Sequence, residues 1–378
     1  MNPVVIPAAD PTGLPAPVWL LQGLQIFTFI LHLLPMNLIL GGGLATAWAA
    51  WRGKALAARG DSRSRYYEEL AVRVVKLLPV ATAFTITLGI APLLFLQVLY
   101  GQLFYTSSVL MAWVWLAVIG LMMIGYYGYY GVLHSKEVLS LRTALLSFGS
   151  AVVFLVVGFI FTNNLTLMAR PEKWSGMYAA NPHGTHWNLD DPTLWPRYLH
   201  FVVASVAFTG VFLAILGLIQ KRKDPAAGEF TSGLGARLFG ASTLVQLAVG
   251  LWFLFSLPER VRSAFLGGSL ADTVLLWVSV AVALAAMPLM RRKPLWGTAA
   301  IALTIAGMAI VRQRVLTLTL APHWSAASLE VAPQTAVFLI FVALLLAGLS
   351  LVGWMIWKFV AGHGDAAVVA TAKDAKAA

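Results

Sequence analysis

The sequence predicts an all-α, polytopic integral membrane helical bundle of about nine transmembrane helices, with the N-terminus outside and the C-terminus inside. Three observations predict it. Of 378 residues, 60% are hydrophobic and only 11% charged, under half the charged fraction usual in a soluble domain. Apolar runs of about 20 residues recur along the chain, each long enough to cross a bilayer as a helix. Basic residues crowd into alternate loops, the positive-inside pattern. That placement accounts for the net charge of +11, and no nucleic-acid partner is expected.

Residues 1–17 form an outer lead-in. It has no positive n-region, and Asp10, Pro11 and Pro15 make it polar, so no signal peptide is expected and Met1 is expected to remain. The spans are 18–51, 74–100, 108–133, 143–167, 196–220, 235–257, 270–290, 295–316 and 333–360, one transmembrane domain over 18–360. The first is longer than a bilayer needs and is expected to tilt or protrude. Loops after spans one, three, five and seven carry Arg52, Lys54, Arg59, Arg63, Arg65, Lys136, Arg142, Lys221, Arg222, Lys223, Arg291, Arg292 and Lys293. The alternate loops carry far fewer bases, which sets the orientation. The long outer loop is 168–195. The tail, 361–378, is Ala, Asp and Lys without pattern and is expected to be a disordered cytoplasmic segment.

There are no cysteines. That removes disulfides, Cys-held clusters and thioether-attached haem from this chain. All fifteen Asp and Glu fall in loops or at span ends. Ion-coupled machines place carboxylates at membrane depth, so proton coupling is disfavoured.

Two histidines lie within spans: His32 in the middle of span one, and His200 one or two turns into span five. A buried imidazole needs partners for both nitrogens. It is either a hydrogen-bonded packing residue or an axial ligand of haem, with Nε2 on iron and Nδ1–H on a carbonyl. Gly41, Gly42 and Gly43 after His32, and Ala204, Ser205 and Ala207 around His200, leave room for a flat macrocycle, as they equally would for helix packing. His183 and His186, spaced i, i+3, are half a metal site or part of a structured loop.

With these residues in place, the chain resembles subunit I of the cytochrome bd quinol oxidase superfamily over about 18–360. Leu24-Gln25 precede His32 and Leu40-Gly41 follow it. "NNLTLMARPEKW" and "NPHG" match the family's Met, Asn and Pro-rich outer segment. "DPTLWPRYLHFVVASVAFTG" carries His200 onto a haem-ligand position, and "VRQRV" offers the Arg312-Gln313 pair expected near haem. The resemblance implies haem b, one or more, with His32 and His200 as iron ligands. It also implies a quinone or quinol, membrane lipid, and a c-type cytochrome or other redox subunits as partners, in a bacterial cytoplasmic (inner) membrane.

The departures are specific. Span three has no glutamate, and the outer loop between spans six and seven is only "PERVRSAFLGGSLAD". The family's axial methionine has no match at its usual place; Met308 and Met111 lie at a suitable depth, and a thioether is a workable sixth ligand. Arg170, Arg197, Arg312 and Arg314 are candidates for pairing with haem propionates. The expectation is a b-type cytochrome passing electrons between the quinone pool and an outer redox partner. A terminal quinol:oxygen oxidoreductase subunit and a cofactor-free transporter or scaffold stand as alternatives.

Overall fold

The structure is a computed structural model describing residue 6 and residues 13–377, the last of these from 359 onward as backbone. Its long elements are helices, and among the described residues nine of them are long and apolar enough to cross a membrane. In chain order the helices are α1 (Val18–Ala57), α2 (Ser64–Val75), α3 (Leu78–Met111), α4 (Trp113–Leu133), α5 (Leu141–Met168), α6 (Trp174–Ala180), α7 (Leu194–Gln220), α8 (Pro225–Ser256), α9 (Glu259–Ser263), α10 (Leu270–Arg292), α11 (Pro294–Leu320) and α12 (Thr335–Ala377).

Chain contacts divide the protein into two compact units. The smaller comprises Asp10–Leu20 and Ser328–Ala378. Within it Leu14 pairs with the segment before α12, its N–H donating to Glu330 O at 2.7 Å and its carbonyl accepting from Ala332 N at 2.9 Å. The backbone of α12 stays helical to Ala377, through the segment expected to be a disordered tail; the Ala-rich composition there favours helix.

The larger unit holds Leu21–Ala327. Most helix ends match the sequence reading, and the exceptions have local causes. α8 begins ten residues early because Asp224 caps it, accepting from Ala227 N, and Pro225 occupies the first turn, where no N–H is needed. α3 runs past residue 100 to Met111, ending where Ala112 takes φ 46°. Met111 therefore closes α3 and is not part of the span beginning at 108. A hydroxyl helps anchor α4 to α1: Tyr129 is fully buried and its O–H donates to the Ile39 carbonyl. Ser147 of α5 donates to Gly43 O at 2.9 Å.

Two helix pairs dominate what remains, α7 with α8 and α10 with α11. α7 and α8 touch backbone to backbone. A Cβ on Gly210 would lie 2.5 Å from Phe239 N, one on Gly217 would strike Ser232 N, and Gly228 and Gly235 are closed off in the same way by Lys221 N and Ala214 N. In a bilayer, where apolar surface gains little from meeting other apolar surface, this close contact between small residues is what joins helices. The same logic claims the glycines after His32. Gly41 seats Ser205 and Thr209 of α7, and Gly43 seats the Tyr129 hydroxyl, so neither makes room for a macrocycle.

Candidate functional site

Between the α7–α8 pair and the α10–α11 pair, with α1 on a third side, lies a cavity of about 290 Å³, at the small end of the ~300–1,000 Å³ usual for ligand sites. Its walls are overwhelmingly apolar: Phe29 and Leu33 of α1, Phe201 and Phe208 of α7, Leu247 and Leu251 of α8, Val280 of α10, Ile305 of α11. A few polar groups converge on it: Asn37, Arg197, His200, Gln246 and Arg312.

Those polar groups are underused by the protein. Among the described residues Asn37 Oδ1, Arg197 Nε, His200 Nδ1 and Gln246 Oε1 are buried with no hydrogen-bond partner. Each costs on the order of 1–3 kcal/mol if left so. Gln246 spends its amide N–H on the His200 carbonyl at 3.0 Å, which holds α8 to α7, and its oxygen has no partner among the described residues. His200 is tucked against Gly250, where a Cβ would come within 3.3 Å of the ring.

The four arginines singled out from sequence separate cleanly. Arg314 grips Asp272 with two hydrogen bonds, 2.7 and 2.9 Å. Arg170 donates to Asp191 at 2.7 Å and lies 3.8 Å from Glu172. Arg197 and Arg312 have no ion-pair partner among the described residues. Each instead lies over an aromatic ring, Arg197 over Phe253 at 5.0 Å and Arg312 over Phe29 at 4.3 Å. Both guanidiniums line the same cavity. Two like charges, partly withdrawn from water and forming no ion pair among the described residues, are expensive for a fold to hold.

Of the residues expected in the site, His200, Met308 and Arg312 line this cavity. The other three do not. Gln313 faces away from Arg312 and donates to Tyr100 Oη at 2.9 Å, because adjacent positions on a helix point some 100° apart. Met111 is buried against Ile160 and Leu167 at the end of α3. His32 looks toward α3, its Nδ1 3.0 Å from the Thr85 carbonyl and its ring beside Gly89, which has no Cβ to obstruct it. That bond fixes the proton on Nδ1 and leaves Nε2 as the acceptor. The residues missed from sequence are Asn37 and Gln246; each is an amide in mid-span, and that polarity was the available signal.

The outer loop is built for structure. Asn163 holds it at both ends of one amide, accepting from Asn188 N at 2.8 Å and donating to His186 O at 3.3 Å. The His186 ring bonds the Asn181 carbonyl at 2.8 Å, and no group of three or more metal-ligating side chains forms among the described residues. Asp191 ties the loop to the start of α7. Burial alone would raise its carboxyl, but hydrogen bonds from Thr193 and the Arg170 guanidinium outweigh that and hold it below the ordinary carboxylate range. A depressed folded-state value means stability that is present above the unfolded pKa, about 3.9, and lost as pH falls through the folded value. Proteolysis at 171–193 is expected to accelerate below about pH 4 in the wild type. In Asp191→Asn the loop is expected to be loosened at neutral pH already, with that acid-side step gone.

Compared with known proteins, the chain matches no family model and no curated protein sequence.

Proposed function

We propose that this multi-pass membrane protein is a b-type cytochrome subunit, with one haem in the cavity between the two helix pairs. The observation that carries the reading is the meeting of three kinds of group on one cavity: a buried imidazole, a thioether and two guanidiniums that form no ion pair among the described residues. These correspond in chemistry to the iron and the acid groups of haem b. His200 through its imidazole and Met308 through its thioether would hold the iron, a ligand pair common in cytochromes. Arg197 and Arg312 would hold the propionates. Phe29, Phe201, Leu251 and Ile305 exclude water from the remainder. Bound haem would supply one-electron exchange at its iron. The protein's share is to fix the imidazole, neutralise the acid groups and keep the surroundings apolar, which together tune a potential.

The redox partners proposed are the quinone pool and an outer-side protein such as a c-type cytochrome, in a bacterial cytoplasmic membrane. His32 lies off this cavity. Its Nδ1–H bond to Thr85 O is one that a ligating histidine uses and a packing histidine uses too.

The test is a reduced-minus-oxidised spectrum and a pyridine haemochrome assay on the purified full-length chain, expressed with haem available. A b-type spectrum near one haem per chain is expected; a colourless, well-folded protein overturns the reading. Arg197→Gln and Arg312→Gln are each expected to weaken haem retention about tenfold or more, since a charge-assisted hydrogen bond contributes roughly 1.5–3 kcal/mol. Haem titration of each variant measures it.

A further inference from the structure

The cavity is closed above and below but not on every side. Toward one end, Phe239 of α8 packs with Ala286 and Met290 of α10, and Gly240 approaches Met287. Toward the other, Leu254, Leu257, Phe265 and Val315 form a second plug, with Leu276 and Val311 against it. Between these plugs the α10 side of the wall runs out to the surface. On α10, Leu276, Val280 and Ala283 face the cavity, and Leu270, Val274 and Ala281 form an exposed stripe. Trp277 and Leu284, seven residues apart and so on one line of the helix, belong to both. They line the cavity and are 40% and 37% exposed. The α11 side of α10 is shut, with Ser279 set against Gly307 and Met290 against Gly297. The opening therefore lies on the α8 side, at mid-helix, where the surroundings of a spanning protein are lipid and not water.

We infer that the cavity is filled sideways from the bilayer, through a window between α8 and α10 bordered by Trp277 and Leu284, by a membrane-dissolved amphiphile whose acidic head reaches Arg197 and Arg312. The chemistry of the wall agrees with the route. An apolar body crosses an apolar sill without losing hydration, and Arg197 and Arg312, which form no ion pair among the described residues, line the cavity it enters. Haem, a flat apolar ring with two carboxylates, is such an amphiphile, but the route does not depend on the haem reading. The cavity's walls and the exposed stripe on α10 carry it.

The experiment uses the full-length wild-type chain made by cell-free synthesis without haem, directly into nanodiscs of phosphatidylcholine carrying a photoactivatable diazirine in its acyl chain. Adducts are mapped by peptide mass spectrometry after illumination. Expected are adducts on Val280, Ala283 and Ile305 well above those on Leu213 and Ala214, which are packed away from any surface. The Trp277→Ala variant is expected to raise the cavity adducts several-fold relative to the same buried pair. Adducts on Val280, Ala283 and Ile305 no stronger than on Leu213 and Ala214, with labelling confined to Val274 and Ala281, overturn the window. That result would leave the spectroscopic test of haem untouched, and a failed spectrum would leave the window standing.

Discussion

His200→Ala is expected to abolish the b-type optical component while leaving the chain folded. The imidazole contributes little to the fold: its Nδ1 has no partner among the described residues, and the bond that ties this turn of α7 to α8 uses the His200 backbone carbonyl, with Gln246 as donor, which alanine keeps. Removing the ring takes away an unsatisfied group and leaves a hole against Gly250, two effects of opposite sign on stability. Its effect on ligand binding has no such offset. Changing a partner of a metal ligand costs 10–100-fold in affinity, and losing the ligand itself costs at least as much. Haem content per chain should fall more than about tenfold, by pyridine haemochrome on protein matched for thermal unfolding. His32→Ala should leave that component in place, because His32 faces Thr85 and Gly89 on α3. Equal loss in both variants would place the two histidines on one haem and contradict the geometry.

Gly217→Leu is expected to give the largest stability loss of any single substitution proposed, about 3 kcal/mol or more by the cost of overpacking a filled core. A Cβ there would run into the Ser232 backbone nitrogen and the Gly228 carbonyl, and backbone cannot swing aside as a side chain can. The helices would have to part along their whole length, since Gly210, Gly228 and Gly235 depend on the same closeness. The α7–α8 pair is one wall of the cavity, so ligand retention should fall with stability. Gly233→Leu is the matched control. It lies on the same stretch of α8 with nothing within 4 Å of a Cβ, and leaving Gly for a better helix former is worth up to about 1 kcal/mol. Unfolding of the two variants in mixed micelles under increasing denaturing detergent should order them Gly217→Leu well below wild type, and Gly233→Leu level with it or above.

The histidines, arginines and glycines of this chain were all visible as letters, and their fates could not be read from those letters. Four arginines near one membrane face look alike in sequence. Two of them meet Asp272 and Asp191, residues 42 and 21 positions away, and become structural; the other two form no ion pair among the described residues. Three glycines after His32 suggest a space, and the space turns out to be filled by α7 at Gly41, by Val74 and Leu78 at Gly42 and by Tyr129 at Gly43. Gln313 adjoins Arg312 in sequence yet serves Tyr100. Met111 and Met308 were equal candidates until the chain's break at Ala112 put one in a packed core and left the other on the cavity wall.

The sequence by itself determined the all-α membrane class and the approximate place of most spans. Those follow from local quantities: hydropathy summed over about 20 residues sets whether a segment crosses the bilayer, and the backbone must then be helical to satisfy its own hydrogen bonds. Only the tertiary structure decided which polar groups share a cavity and which of them are left without partners. That depends on helix rotation and on pairing between segments far apart in the chain, and within lipid these are set by small-residue contacts and single hydrogen bonds that leave almost no periodic trace in an apolar sequence.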